Sequence, residues 1–324
     1  MSTERKVMIL RLNQKNEHKS FKKKLSQTGI VVRRTKSFYY VDIGRSEPYV
    51  CSIRGSLFKS NLVDNKIAVG DEVEIDLDST GNTGRILKML PRRTKLSRRP
   101  SLGNSEQILV ANADTLLIVS SLRNPPLREG LIDRFLVAAS SGGLETILIL
   151  SKADLSSRKE IKPIKELYSS LGCKVLVTSV PESRGIASLR ALIQERTAIL
   201  SGHSGVGKSS LIAALFPDWR IKIGRVSKKS GKGRHTTIMA EMYQHPLGGY
   251  VIDTPGIRDF SPLVKSEELD KHFVDFVPFL GQCKFKGCSH RHEPECMIKK
   301  ALYSEKITEK RYNSYCNIYG SLEL

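Results

Sequence analysis

The chain has 324 residues, with 53 Lys and Arg against 33 Asp and Glu and a formal net charge of +20. That length suits two or three domains, and an apolar fraction of 40% can fill their cores. The charge favours a polyanionic partner, either nucleic acid or an anionic membrane surface, but no apolar run is long enough to span a bilayer.

The opening residues lack the apolar core of a secretion signal, so a cytoplasmic protein is expected. In that reducing setting six cysteines are not a disulfide framework. The first 36 residues hold eleven Lys and Arg against two acids. Residues 1–28 therefore read as a basic arm suited to nucleic acid.

Residues 29–92 change character. "GIVVRRTKSFYYVDIG", "PYVCSIRG", "DEVEIDLD" and "TGRILKML" read as short strands separated by Gly, Asp, Asn and Ser. Val73, Ile75 and Leu77 alternate with charged residues, as a half-buried strand requires. Several short strands in so few residues predict a small β-barrel of the oligonucleotide-binding type. Arg33, Arg34, Phe38, Tyr39 and Tyr40 mix cations with rings, as single-stranded nucleic-acid surfaces do, and each ring also suits a barrel core.

"LPRRTKLSRRP" (90–100) reads as a basic linker. Beyond it, residues 100–275 read as an α/β domain. "DTLLIVSS", "ETILILS", "CKVLVTS", "TAILSG" and "GYVIDT" are continuous apolar runs, as strands covered on both faces require. "EGLIDRFLVAAS" and "IASLRALIQER" are helix candidates between them. The alternation predicts a parallel sheet with right-handed crossovers. From residue 276 the composition shifts to Cys, His and Lys, and residues 276–324 read as a third, zinc-binding domain with helices.

"GHSGVGKS" (202–209) matches G-x-x-x-x-G-K-[ST] in full and lies between an apolar strand and a helical run. Gly202 and Gly207 allow the backbone to wrap a phosphate chain. His203, Ser204, Gly205, Val206 and Ser210 complete the loop and helix start, whose N–H groups attract anions. Lys208 suits β- and γ-phosphate oxygens, and the Ser209 hydroxyl suits magnesium. In "VIDTPG" (251–256), Asp253 can hold magnesium through water and Gly256 can offer its N–H to a γ-phosphate.

"SKAD" (151–154) ends another strand and corresponds to the N-K-x-D that reads guanine. Asp154 would accept from the guanine N1–H and 2-amino group, and Lys152 would cover the base with its stem. Ala153 spaces the two. Ser151 stands where the pattern has Asn, and its shorter side chain predicts weaker nucleotide affinity or loop bracing. "VTSV" (177–180) would supply a backbone N–H near Ser179 to the guanine carbonyl.

Between these motifs lies a Lys- and Gly-rich segment, residues 220–243, in which Thr236 or Thr237 could complete the magnesium shell. The residue after Gly256 is Ile257, which cannot orient water, so His235 becomes the candidate for that task.

"CKFKGCSHRHEPEC" (283–296) has the spacing C-x4-C-x-H-x5-C. Cys283, Cys288, His290 and Cys296 would fill a tetrahedral zinc and leave no open position, which makes the ion structural. His292 is the alternative nitrogen ligand. "KKALYSEKITEKRYNSYCNIY" after it reads as one amphipathic basic helix.

Taken in order, barrel, "SKAD", "GHSGVGKS", "GRHTT", "DTPG" and the cysteine–histidine cluster resemble the ribosome small subunit-dependent GTPase A family, whose GTPase domain is circularly permuted. The resemblance implies an N-terminal oligonucleotide-binding barrel, a permuted α/β P-loop GTPase domain and a C-terminal zinc domain. It implies GTP and GDP, Mg2+ and one Zn2+ as ligands. It also implies a monomer without membrane attachment that binds the small (30S) ribosomal subunit and its 16S rRNA. Such a protein would assist late maturation of the subunit, with GTP hydrolysis stimulated by it. The alternative is a non-catalytic, GTP-gated rRNA-binding protein. Ser151 departs from the family pattern, and the long basic arm is not among its motifs.

Overall fold

The computed structural model describes residues 26–35, 37–53, 67–78, 83–100, 106–217, 240–246, 248–254 and 260–323. Most of the basic arm, His235, Thr236, Thr237, Gly256 and Ile257 lie outside the described residues. Among the described residues no helix is long and apolar enough to cross a membrane.

Five strands form the N-terminal barrel: β1 (Ser26–Arg34), β2 (Tyr39–Asp42), β3 (Tyr49–Ile53), β4 (Glu72–Leu77) and β5 (Thr83–Met89). β1 pairs with β2, β2 with β3 and β5 with β4, all antiparallel. β3 pairs with β5 in parallel, and β4 returns to β1, so the ring closes. Strict alternation drives this closure. Val31, Val41, Cys51, Val73, Ile75 and Ile86 face inward and are sealed from solvent. β1 begins at Ser26, inside the stretch expected to be arm.

The segment expected to be a linker is folded. Lys95–Arg98 form β6, which pairs with β7 (Gln107–Ala111). Its arginines work as ties, which composition alone does not reveal. Arg92 makes two hydrogen bonds, of 2.6 and 2.7 Å, to the fully buried carboxylate of Asp71 and so fastens the barrel to the stretch leading into β6.

The central sheet contains β8 (Thr115–Ser121), β9 (Glu145–Ser151), β10 (Lys174–Val177), β11 (Thr197–Gly202), β12 (Glu241–Gln244) and β13 (Tyr250–Asp253). Their order across the sheet is β10-β9-β8-β11-β13-β12. The first five are parallel, and β12 runs antiparallel to β13. The whole of β8 is buried because both faces are covered. Leu116 and Ile118 enter one core with α1 (Glu129–Gly142) and α2 (Arg158–Ser170). Leu117 and Val119 enter the other with α3 (Ile186–Ile193) and α4 (Lys208–Leu215). That double coverage explains the unbroken apolar runs.

The C-terminal part packs on α1. Val137 of α1 joins a core with Leu269, Phe273, Phe276, Ile298 and Tyr315. The single terminal helix expected from sequence is two, α5 (Met297–Tyr303) and α6 (Glu309–Leu322). Glu305 takes a left-handed φ of 57° in the break. Thr308 then caps α6 by accepting from the Arg311 N–H.

Candidate functional site

β9, β11 and β13 are parallel to one another within the sheet, so Ser151, Gly202 and Asp253 arrive at one edge. In open α/β sheets ligands bind at this edge. Gly202 begins the phosphate-type loop at φ 148°, and a Cβ there would lie 2.1 Å from the Val119 carbonyl oxygen. Gly207, at φ 96°, occupies the N-cap position of α4 in a left-handed conformation that other residues reach only with strain. Between them the chain curls around the Lys208 side chain. Lys208 donates from Nζ to the carbonyls of Gly202 (2.8 Å) and His203 (2.9 Å). Burial lowers the Lys208 pKa, and the Asp253 charge opposes that shift.

Asp253 ends β13. Burial pushes its pKa up to about 6, with Lys208 pulling down and Glu241 pushing up. Among the described residues its buried Oδ1 has no hydrogen-bond partner. An orphaned carboxylate oxygen beside a lysine that caps a phosphate-type loop is what a hydrated cation would satisfy. Thr254 bonds through its hydroxyl to the Leu200 carbonyl (2.9 Å) and holds the strand end against β11.

The β9 loop meets the phosphate-type loop directly. Ser151 is buried, and its Oγ lies 2.6 Å from the Val206 carbonyl and 2.9 Å from the Ser120 carbonyl. A hydroxyl has one hydrogen, so it serves one of these acceptors at a time. Lys152 adopts φ 53° and donates to the Asn124 carbonyl, with its stem passing over Gly207. Ala153 is buried and donates its N–H to the Thr178 carbonyl (3.0 Å). Asp154 accepts a 2.6 Å hydrogen bond from the Ser179 hydroxyl. Lys152, Asp154, Val206, Gly207 and Ser210 share the wall of a cavity of about 400 Å³ with Asn124 and Pro181.

A second constellation lies in the C-terminal part. The ligand atoms of Cys283, Cys288, His290 and Cys296 all lie within 4.8 Å of one another. Cys283 Sγ is 3.6 Å from His290 Nδ1 and 3.9 Å from Cys296 Sγ, and His290 Nδ1 is 3.4 Å from Cys296 Sγ. A tetrahedral zinc with Zn–S of about 2.3 Å and Zn–N of about 2.0 Å has edges of roughly 3.5–3.8 Å. His290 turns its other nitrogen to Asp270 Oδ2 at 3.3 Å, the orientation that fixes a ligating imidazole. Burial pushes the Cys283 thiol up, but the Met297 N–H, Cys288 and His290 outweigh it and hold the thiol below its ordinary value.

Comparison with known proteins decides the family. The RsgA GTPase family model matches residues 89–262, and the RsgA N-terminal domain model matches residues 28–86. The chain belongs to the RsgA GTPase family. The small ribosomal subunit biogenesis GTPase RsgA of Flavobacterium psychrophilum is 38% identical over 299 residues, spanning 90% of this chain and 92% of that one. The protein of the same name from Chlorobaculum parvum is 36% identical over 305 residues, spanning 91% and 98%. The crystal structure of YjeQ from Thermotoga maritima superposes with a TM-score of 0.71 at 32% identity, covering 92% of this chain and 99% of that one. YloQ, described as a circularly permuted GTPase, gives 0.68 at 28% identity, covering 92% and 95%.

In this RsgA-family chain the donor sets fit the ligands the family implies. The glycine-lined loop with its lysine fits a nucleotide triphosphate, the orphaned Asp253 oxygen fits magnesium, and the three thiols with one imidazole fit zinc. His292 is exposed and does not join the cluster. Two residues on the base side make contacts of their own. The Ser151 hydroxyl reaches the phosphate-type loop, because β8 and the loop approach closely enough for a short side chain. The Ser179 N–H is taken by the Arg184 carbonyl (3.1 Å), so Ser179 contributes its hydroxyl, which orients Asp154. His203 is turned onto its neighbour, with Nδ1 2.7 Å from the Ser204 carbonyl, while Ser204, Gly205, Ser209 and Ser210 are exposed at the rim. Tyr39 belongs to the barrel core, whereas Phe38 is 48% exposed and Arg33 stacks 3.7 Å over Tyr40.

Asn124 and Asp270 were not legible as site residues. Asn124 lies in a turn with no motif around it, and Asp270 is twenty residues from the histidine it faces.

Proposed function

We propose that this GTPase hydrolyses GTP to GDP and phosphate while bound to the 16S rRNA of the small (30S) ribosomal subunit, and that it assists late maturation of that particle as a cytoplasmic monomer. The observation that carries the reading is the Ser151–Val206 contact. It supports the reading because Asp154 and the phosphate-type loop line one cavity, although they lie some fifty residues apart in the reverse of the usual order. The relatives' names supply the particle.

In this reading Asp154, oriented by Ser179, accepts from the guanine edge while the Lys152 stem covers the ring. The N–H groups of residues 202–210 hold the phosphates, and Lys208 leaves its carbonyl partners to neutralise the β- and γ-oxygens. Magnesium, held by Ser209 and Asp253 with Thr236 or Thr237, would add positive charge there. His235 orients the attacking water, and the Gly256 N–H senses the γ-phosphate. Zinc on Cys283, Cys288, His290 and Cys296 is structural.

Phosphate release from GTP, measured with and without purified small subunits, tests the reading. Stimulation by the subunit, abolished in Lys208→Ala, is the expected result. GTP binding without turnover under either condition would overturn hydrolysis and leave a GTP-gated rRNA-binding protein.

A further inference from the structure

The barrel and the GTPase sheet are continuous, because β12 pairs on one side with β13 and on the other with β1. The register sets four side chains in one transverse row. Tyr40 on β2 stands opposite Arg33 on β1, Arg33 opposite Glu241 on β12, and Glu241 opposite Asp253 on β13. Residues directly opposite on antiparallel strands share a face, with Cβ atoms about 4.5–5.5 Å apart. The row therefore runs from the barrel to the carboxylate that ends β13.

Neighbouring side chains hold the row in place. The Arg33 guanidinium lies 3.7 Å from the Tyr40 ring centre. Glu241 Oε2 accepts a 2.8 Å hydrogen bond from the Tyr243 hydroxyl. Burial and the Glu241 charge raise the Tyr243 pKa, while the Arg33 charge draws it down, so both charges bear on one hydroxyl. Tyr250 of β13 donates to Asp42 of β2 at 3.2 Å, a second tie between barrel and sheet. Arg33, Glu241 and Asp253 are all partly buried, so salt screens their fields less than those of surface charges.

Glu241 is the unexpected member. Like charges directly opposite one another on a sheet are destabilising, and Glu241 faces Asp253. Lys208 and Arg33 flank the two carboxylates, Lys208 near Asp253 and Arg33 across from Glu241. In the functional reading Lys208 turns to the phosphates, and a dication then answers the paired negative charge. Glu241 stands one strand farther from the phosphate-type loop than Asp253, so it acts on that ion by its field and through its neighbour.

We propose that Glu241 is a positioning residue for magnesium at Asp253, adding negative charge behind that carboxylate, and that Arg33 of the barrel offsets part of that charge. The proposal deepens the functional reading above and rests on it for the magnesium. The row couples the barrel to the ion site through charge.

The test uses the full chain and the variants Glu241→Gln, Arg33→Gln and the two combined, with thermal melting as the folding control. The quantity measured is the Mg2+ concentration that half-maximally slows release of a fluorescent GDP analogue. Glu241→Gln should raise this midpoint by roughly threefold to tenfold, and Arg33→Gln should lower it by a similar factor. The combined variant should return near the wild-type value, because the two changes of charge oppose each other. Arg33→Lys keeps the charge and should match the wild type. General loosening of the sheet would instead raise the midpoint in both single variants. A midpoint unchanged in either single variant, or moved against its expected sign, would overturn the proposal alone. Should Arg33→Gln fail to fold, Glu241→Gln decides the positioning role and Arg33→Met the offset. Release that is insensitive to Mg2+ in the wild type would overturn both this proposal and the magnesium reading on which it rests.

Discussion

The Arg311 guanidinium lies 2.6 Å from the Asp133 carboxylate, with side chains 4% and 2% exposed. Arg311 comes from α6 and Asp133 from α1, so the pair rivets the cysteine-bearing C-terminal part to the GTPase sheet. Asp275 completes the arrangement with contacts of 2.8 and 3.1 Å, and Arg311 stacks 4.4 Å from the Phe273 ring centre. A buried pair adds little net stability over apolar residues, but removing one member strands the other's charge. Arg311→Met is therefore expected to destabilise the protein by about 3–5 kcal/mol in urea unfolding followed by circular dichroism. Arg311→Lys keeps the charge but lacks the planar fork that spans both carboxylates, so an intermediate loss is expected. Wild-type stability in Arg311→Met would show that the rivet is dispensable.

Ser151 offers a finer test. Its hydroxyl is the hydrogen that the Val206 and Ser120 carbonyls share. Ser151→Ala leaves both buried acceptors without it, at a cost of roughly 1–3 kcal/mol. Part of that cost falls on the loop that must hold phosphates. GTP and GDP should both bind on the order of tenfold more weakly, while preference over ATP persists because Asp154 is untouched. Titration with a fluorescent GDP analogue, with ATP as competitor, reads both quantities. A loss of guanine preference would mean that Ser151 contacts the base.

Much of this was legible from residues alone, for definite reasons. The runs around Leu116, Ile147 and Ile199 are apolar throughout because helices cover both faces of their strands, and that signal survives without any alignment. The cysteine cluster was legible because its spacing is local. Helix α2 was harder, since Pro163 interrupts its interior and removes one backbone donor. Its capping box, Ser157 with Glu160, was the available clue. Partnerships across long separations had no local trace. Arg92 looks like linker charge until Asp71 is found beneath it, and Arg311 looks like one more cation on a basic helix.

Asp154 carries the choice of base in the proposed site. It is oriented by the Ser179 hydroxyl at 2.6 Å and faces the cavity that the phosphate-type loop closes. Asp154→Asn exchanges two acceptors for one acceptor and one donor. The amide would repel the guanine 2-amino group and match the carbonyl that xanthine carries there. Two charge-assisted hydrogen bonds of about 1.5–3 kcal/mol each are lost, so GTP affinity should fall on the order of a hundredfold or more. Turnover of xanthosine triphosphate should rise relative to GTP in the same variant. Unchanged GTP affinity would remove Asp154 from the base site.

The zinc reading predicts behaviour that independent thiols would not show. Three of the six cysteines form the cluster, and Cys296 is buried against Ile298 and Phe276 in the core that α5 and α6 complete. Tyr312 and Tyr315 of α6 donate to the carbonyls of His290 (2.8 Å) and Ser289 (3.0 Å), so the ligand loop and the last helix are one unit. Metal analysis should find one zinc per chain. A strong chelator should make the thiols of Cys283, Cys288 and Cys296 reactive together and open the region around residues 281–300 to protease, because the metal's binding energy is part of this module's folding energy. The GTPase sheet has its own two cores and should keep its nucleotide affinity after chelation. Rapid thiol labelling at all three positions before any chelator is added would rule the metal out.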